Sequence, residues 1–274
     1  MTDIGILELK NITTAIREKF GYDFTNYASS SFKRRILRIL EINRISAEAL
    51  LERIRNGSFT KEEFLHEITV NVTEMFRDPS FWKSMRNILT NMGGTRDKIK
   101  IWHAGCSSGE EVYSMTILLR ELNLLHKAEI VASDIDKNIL ARAKEAVVPA
   151  KNMDIHQHNY ERFSGQNGLD KYFQKSGETY LLDKTLIEKV SFREMDLVKA
   201  VPFSKFDIVL CRNVLIYFNN TLQNDVLKLF SECMFDGAIL AIGAKESISW
   251  CDIANSLLPV VQEEKIFKKK TRVY

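Results

Sequence analysis

The chain of 274 residues has only four prolines and no stretch of low complexity, which argues against long disordered segments. Its four cysteines, Cys106, Cys211, Cys233 and Cys251, include no C-x-x-C pair, and none has a histidine at metal-ligand spacing. That spacing argues against a disulfide framework and against zinc, and reduced thiols fit a cytoplasmic protein. His156 and His158 form an H-x-H without a third ligand, expected to be solvated on a strand or loop. No metal site is expected. No apolar run approaches the roughly 18 residues that cross a bilayer, so no membrane insertion is expected. The start, Met1-Thr2-Asp3-Ile4-Gly5, has neither the basic residues nor the apolar core of a signal peptide. A net charge of +3 is too small to indicate nucleic acid by itself.

What is present is ordinary for a globular protein: 45% hydrophobic and 27% charged residues, in a chain long enough for one large domain and one small one. Residues 1–58 read as a compact bundle of short helices. Ile4, Leu7, Leu9, Ile12 and Ile16 have helical spacing, as do Phe32, Ile36, Ile39 and Leu40, then Ala49, Leu50 and Ile54. Thr60-Lys61-Glu62-Glu63 resembles a capping box that opens a connecting helix within residues 59–69. Residues 70–274 read as a second domain in which strands alternate with helices. Strand-like runs lie at 98–104, 129–133, 190–192, 206–210 and 238–242, and 265–274 suggests a terminal hairpin or strand pair. This alternation predicts an α/β fold with a doubly wound, mostly parallel sheet. Ligands of such sheets bind beyond the carboxyl ends of the strands, at the switch in strand order.

Residues just after the strands are therefore the candidates for chemistry. The first turn, Ala104-Gly105-Cys106-Ser107-Ser108-Gly109-Glu110-Glu111, is small enough for a ligand to approach the backbone. Its two glutamates would repel phosphate and suit a cationic or hydroxyl-bearing ligand, such as S-adenosylmethionine with its sulfonium, ammonium and ribose. They equally suit a helix start, where an acid gains about 0.3–1 kcal/mol. The second strand ends Ser133-Asp134-Ile135-Asp136; Asp134 fits a ribose-hydroxyl acceptor and Asp136 a helix cap. Asp196-Leu197 could bracket an adenine ring. Cys211-Arg212-Asn213-Val214-Leu215-Ile216-Tyr217-Phe218 gathers polar and aromatic groups at a strand mouth. Arg77, in Asn71-Val72-Thr73-Glu74-Met75-Phe76-Arg77-Asp78-Pro79, could hold a carboxylate.

Together these segments resemble the CheR family of chemoreceptor glutamate methyltransferases. The matching motifs are Asn71-x-Thr73-x-x-Phe76-Arg77, Gly105-Cys106-Ser107-Ser108-Gly109-Glu110-Glu111-x-Tyr113-Ser114, Ser133-Asp134-Ile135-Asp136 and Cys211 to Phe218, in the family's order. The resemblance implies a Rossmann-like class I methyltransferase fold behind a helical N-terminal domain, with S-adenosylmethionine as methyl donor and S-adenosylhomocysteine as product. It implies a cofactor site of Asn71, Thr73, Arg77, Gly105, Glu111, Asp134, Asp196, Leu197, Arg212 and Asn213, with Glu111 preferred over Glu110. Arg77 and Tyr217 would flank the reacting centre. The acceptor would be an ionised glutamate, which needs neither a strong base nor a metal.

The resemblance also implies receptor docking by the helix from Ser31 to Ile42, and the charge pattern agrees. Arg34 and Arg38 share a face opposite Phe32 and Ile36, and Lys33 and Arg35 widen the basic surface. An acidic, glutamate-rich helical partner would be attracted to it. Nucleic acid is not expected, because no aromatic platform accompanies the charge. Three features depart from the family. Asp196 stands where Asn is common, Gly243-Ala244-Lys245-Glu246 replaces Gly-His-Ser-Glu, and the Gly-x-Tyr is missing around Ala146-Val147-Val148. The stretch from Phe173 to Lys189 lacks the glycine-rich loop of members that grip a receptor-tail pentapeptide, so no such tether is expected. Methylation of another protein or a small molecule, a non-catalytic S-adenosylmethionine or S-adenosylhomocysteine sensor, and a pure signalling adaptor are the competing readings.

Overall fold

The computed structural model describes residues 4–69 and 73–271. These fall into two compact units. The chain up to Val70 is joined by Val214–Val226 in the first, and Asn71–Asn213 with Leu227–Tyr274 makes the second.

In the first unit, α1 (Ile6–Phe20), α2 (Ser29–Asn43), α3 (Ala47–Asn56) and α4 (Lys61–Ile68) follow one another. Their apolar positions recur at helical spacing, so each helix buries one stripe: Ile12 and Ile16, Phe32 and Ile36, Leu50 and Ile54, Phe64. The capping box forms at Thr60: Glu63 N–H donates to Thr60 Oγ1 at 3.2 Å, and Thr60 N–H donates to Glu63 Oε2 at 2.7 Å. The sequence assigns 59–69 to a linker. In the structure Phe64 stacks into the helical core, 5.3 Å from Phe24 and 5.8 Å from Phe20, so α4 is part of the bundle. Val214–Val226, which the sequence assigns to the second domain, also groups here.

The second unit contains α5 (Pro79–Gly93), β1 (Ile99–Ala104), α6 (Glu110–Glu121), β2 (Ala128–Asp134), α7 (Lys137–Glu145), β3 (Val147–Pro149), α8 (Ala150–Phe163), β4 (Phe173–Ser176), β5 (Thr179–Leu182), β6 (Val190–Glu194) and β7 (Phe206–Cys211). After α9 (Asn220–Glu232), β8 (Met234–Ile242), β9 (Leu257–Val261) and β10 (Ile266–Lys269) complete it. The main sheet has the order β6-β2-β1-β7-β8-β10-β9. Its first five strands are parallel, and β10 runs antiparallel between β8 and β9. β7 is buried at every position, as expected of a central parallel strand covered on both faces. The chain winds outward from β1 through β2 to β6, then returns to β7 on the other side of β1. That reversal puts the switch point at the carboxyl ends of β1, β2 and β7. This is a mostly parallel, doubly wound α/β sheet, preceded by an all-helical domain.

Two local readings need correction. The terminal strand pair starts at Leu257 rather than after Lys265, because Leu257–Val261 supplies the outer strand. A second small sheet, β3-β5-β4, has no counterpart in the sequence reading. Its strands have three or four residues each, too short for alternation to register. Among the described residues, no helix is long and apolar enough to cross a membrane.

Candidate functional site

The first turn folds as its composition demands. Gly105 has a φ of 79°, which favours glycine, and Gly105 and Cys106 N–H both donate to the Ser133 carbonyl, at 2.8 and 2.9 Å. This ties the end of β1 to the end of β2. Ser107 N–H then donates to Asp134 Oδ2 at 2.8 Å, and Asp136 N–H donates to Oδ1 at 3.2 Å. Each Asp134 oxygen keeps lone-pair capacity for a hydroxyl. Burial raises the Asp134 pKa, which these backbone donors only partly oppose. Asp136 caps α7, accepting from Asn138 N–H at 2.8 Å. Met195 N–H donates to the Asp134 carbonyl, bringing Asp196 and Leu197 beside this strand end. Asp196 Oδ1 accepts from Val198 N–H at 3.0 Å, a bond an asparagine oxygen would also make, so the departure at 196 keeps the turn.

The two glutamates differ. Glu110 is buried and accepts from Ser108 Oγ at 2.6 Å, inside its own loop; burial raises its pKa. Glu111 Oε1 bonds His103 Nδ1 at 2.8 Å, and its Oε2 meets Arg212 Nη1 at 3.2 Å. Burial alone would raise the Glu111 pKa, but His103 and Arg212 outweigh it, and the pKa ends below its ordinary value. Arg212 continues the chain: its Nη2 lies 2.6 Å from Asp78 Oδ2, and its guanidinium sits 3.9 Å above the Phe81 ring. The sequence did not single out His103, Asp78 or Phe81. A histidine just before the small-residue turn at the end of β1 was the available signal for His103.

Asn71 lies outside the described residues. Thr73 and Arg77 stand on a segment held at several points. Phe76 N–H donates to Ser114 Oγ at 2.8 Å, and Met75 N–H donates to His156 Nδ1 at 3.2 Å. Asn159 Nδ2 donates to the Met75 carbonyl and to Glu74 Oε2, both at 3.1 Å. Trp82 Nε1 donates to the Arg77 carbonyl at 3.0 Å. Phe76 and Asp78 have φ of 51° and 57°, strain that these bonds sustain. Arg77 is half-buried, and its guanidinium makes no ion pair among the described residues. His156 is thus a fully buried helical residue, contrary to the expected solvated loop, because its ring fills the seat under Met75.

Burial lowers the His156 pKa from 6.5 to about 4, against the raising effect of Glu74. The unfolded chain therefore binds more protons at this residue between these values, and stability falls as pH drops through that window. From pH 7 to pH 5 this histidine should cost about 2 kcal/mol. We expect His156→Gln, which keeps an acceptor for Met75, to lose that part of the acid sensitivity. Melting curves of both proteins at pH 7 and 5 measure it; an equal drop in both would exclude the assignment.

Asn213 N–H donates to Glu246 Oε2 at 3.3 Å, and Gly243 N–H donates to the same oxygen. Glu246 therefore joins the ends of β7 and β8, while Ala244 and Lys245 are exposed. A Cβ at Gly243 would lie 2.8 Å from Asn213 N. The glycine and the glutamate carry this turn, and the replaced residues do not.

Tyr217 belongs to the helical unit, where burial lowers the Arg35 pKa against the raising effect of Tyr217. Arg34 and Arg38 are exposed on α2, and Lys33 and Arg35 are both half-buried. Among the described residues, no group of three or more His, Cys, Asp or Glu could hold a metal ion.

The ends of β1, β2, β6 and β7 thus present a close-approach turn, acids and an arginine chain. Small residues, an ionised Glu111 and a hydroxyl-accepting Asp134 fit a cationic nucleoside and misfit a phosphate. Residues 71–262 match the family model described as CheR methyltransferase, SAM binding domain, and residues 7–69 match CheR methyltransferase, all-alpha domain. Cher3 of Pseudomonas putida is 38% identical over 264 residues, covering 96% of this chain and 97% of that one. The chemotaxis protein methyltransferase of Listeria innocua is 30% identical over 239 residues, covering 86% and 88%. That of Borreliella burgdorferi is 28% identical over 258 residues, covering 88% of each. The chain belongs to the CheR methyltransferase family, an S-adenosylmethionine-binding domain preceded by an all-alpha domain.

Proposed function

We propose that the protein forms methyl esters on glutamate side chains of a chemoreceptor, in the cytoplasm, and so adjusts chemotactic signalling. The observation that carries the reading is the charge chain His103–Glu111–Arg212–Asp78 at the switch point, beside Asp134 and an Arg77 free of ion pairs among the described residues. S-adenosylmethionine supplies the transferable methyl when bound. Asp134 would accept from the ribose hydroxyls, and Asp196 and Leu197 would border the adenine. Glu111 would receive the ammonium. Thr73, Gly105, Arg212 and Asn213 would complete the cradle, together with Asn71.

Arg77 would orient the acceptor carboxylate. At neutral pH that carboxylate is already ionised, so the residues have only to align the partners and exclude water, an effect worth roughly 7–11 kcal/mol. Tyr217 would hold the acceptor through its hydroxyl. A non-catalytic sensor is disfavoured, since the altered residues Ala244 and Lys245 are exposed and Glu246 keeps its bonds.

The exposed Arg34 and Arg38 face, with Lys33 and Arg35, would dock a glutamate-rich receptor helix. No receptor-tail pentapeptide, nucleic acid or membrane contact is part of this reading. Arg34→Glu with Arg38→Glu should raise KM for receptor about 10-fold at low salt with kcat unchanged, and the difference should shrink as salt rises. An unchanged KM would remove the docking role.

The function is tested with tritiated S-adenosylmethionine and chemoreceptor-bearing membranes. Label released as methanol in base marks an ester; base-stable label would point to methylated nitrogen, and no binding of S-adenosylhomocysteine would remove the reading altogether.

A further inference from the structure

Two donors hold the Glu111 carboxylate, and they differ in kind. Arg212 Nη1 meets Oε2 at 3.2 Å, and the same guanidinium meets Asp78 Oδ2 at 2.6 Å. His103 Nδ1 meets Oε1 at 2.8 Å. His103 stands on β1 just before the glycine turn, its backbone paired with Ala132 of β2 on one side and Leu210 of β7 on the other. Glu111 lies in the first turn of α6. The bond therefore ties a side chain of an inner strand to the helix, across the loop that joins them.

The geometry also bears on where the imidazole proton sits. An ionised carboxylate only accepts, so Nδ1 is the donor to Glu111. Nε2 is enclosed, and no donor or acceptor of the described residues bonds it. A second proton there would leave a charged, fully buried ring with an unpaired N–H, which costs more than a neutral ring with an unpaired lone pair.

A neutral ring matters for the charge balance. Glu111 and Asp78 bring two negative charges to the chain and Arg212 one positive charge, so a neutral His103 leaves one negative charge over. An imidazolium would cancel it. The Glu111 side chain is 18% exposed and that of His103 is 0% exposed, so the carboxylate can meet a ligand while the ring acts only through it.

We infer that His103 is a positioning residue for the ammonium of the methyl donor: a neutral ring, protonated at Nδ1 alone, that aims the Glu111 carboxylate without cancelling its charge. The inference rests on the reading of Glu111 as the group that receives the ammonium. It divides the work between two neighbours: Arg212 supplies the balancing charge, and His103 sets the direction.

The test compares two ligands by calorimetry: S-adenosylhomocysteine, which carries the ammonium, and methylthioadenosine, the nucleoside thioether without the amino-acid arm. His103→Leu should weaken S-adenosylhomocysteine about 10-fold or more and leave methylthioadenosine unchanged. His103→Asn, whose amide nitrogen stands near the Nδ1 position, should recover most of the loss. In a Glu111→Gln background, His103→Leu should cause little further loss. Heteronuclear NMR of the ring nitrogens at neutral pH, with the His103 signal identified by its loss in His103→Asn, should find a proton on Nδ1 and none on Nε2.

Equal losses for both ligands would make His103 a merely structural residue and overturn the inference. A protonated Nε2, or losses that multiply in the double variant, would overturn it as well. If His103→Leu melts early, His103→Gln carries the same comparison: its amide extends past the Nδ1 position, so it should lose S-adenosylhomocysteine affinity where His103→Asn keeps it. Undiminished S-adenosylhomocysteine affinity in Glu111→Gln would instead defeat the reading of Glu111, a result distinct from failure at His103 alone.

Discussion

Tyr217→Phe and Arg77→Ala proteins should fold and yet form methyl esters at roughly one hundredth of the normal rate or less. A single preorganised donor at a reacting centre is commonly worth about 100-fold or more in kcat. Tyr217→Phe removes one oxygen from a half-buried side chain and leaves in place the backbone bonds that hold its turn. Arg77 uses its carbonyl, not its side chain, to accept from Trp82, so truncation beyond Cβ leaves that bond in place. Both variants should therefore melt near the parent temperature. Single-turnover ester formation, beside thermal melts, measures the separation of chemistry from folding. Full activity in both variants would overturn the roles given to them.

Replacement of Arg212 by alanine should have the opposite profile, with cofactor affinity and stability failing together. Its side chain is 3% exposed and bridges Glu111 and Asp78. Removing one member of a buried ionic group commonly costs about 3–5 kcal/mol, because the partner charge stays enclosed without compensation. Glu111 would keep only His103. Its carboxylate would lose the cation that helps hold its pKa down, and would protonate more easily. The ammonium of the donor would then meet a weaker anion. We expect S-adenosylhomocysteine affinity to fall about 100-fold or more, and the melting temperature to drop by several degrees. Arg212→Lys should rescue only part of this, since an ammonium cannot serve both carboxylates and lie flat over Phe81. Calorimetric titration of the three proteins decides it; undiminished affinity in Arg212→Ala would remove Arg212 from the cofactor site.

The largest expected effects fall on residues whose types the sequence exposes but whose partners it hides. Arg212 stands out in Cys211-Arg212-Asn213 at a strand mouth, yet its partner Asp78 is 134 positions away. Glu111 is visible as an acid after a glycine turn. Its preference over Glu110 acquires a physical basis only when His103 and Arg212 are seen on one side and Ser108 on the other. His156 misleads in sequence, because an isolated H-x-H carries no sign of burial. The ring is enclosed only because Met75, 81 positions earlier, passes above it.

What the sequence determined by itself was local: the helical stripes from Ile12 to Ile54, the capping box at Thr60, the strand ends at Ala104 and Asp134, and the alternation that makes a parallel sheet. These depend on neighbours a few positions apart, through side-chain periodicity and turn chemistry, and such neighbours are adjacent in the sequence. The tertiary structure alone decided which charges pair, that Glu246 joins two strand ends, and that α4 and Val214–Val226 belong with the helices. Those choices follow from strand order and packing, which bring distant positions together and leave no periodic trace along the chain.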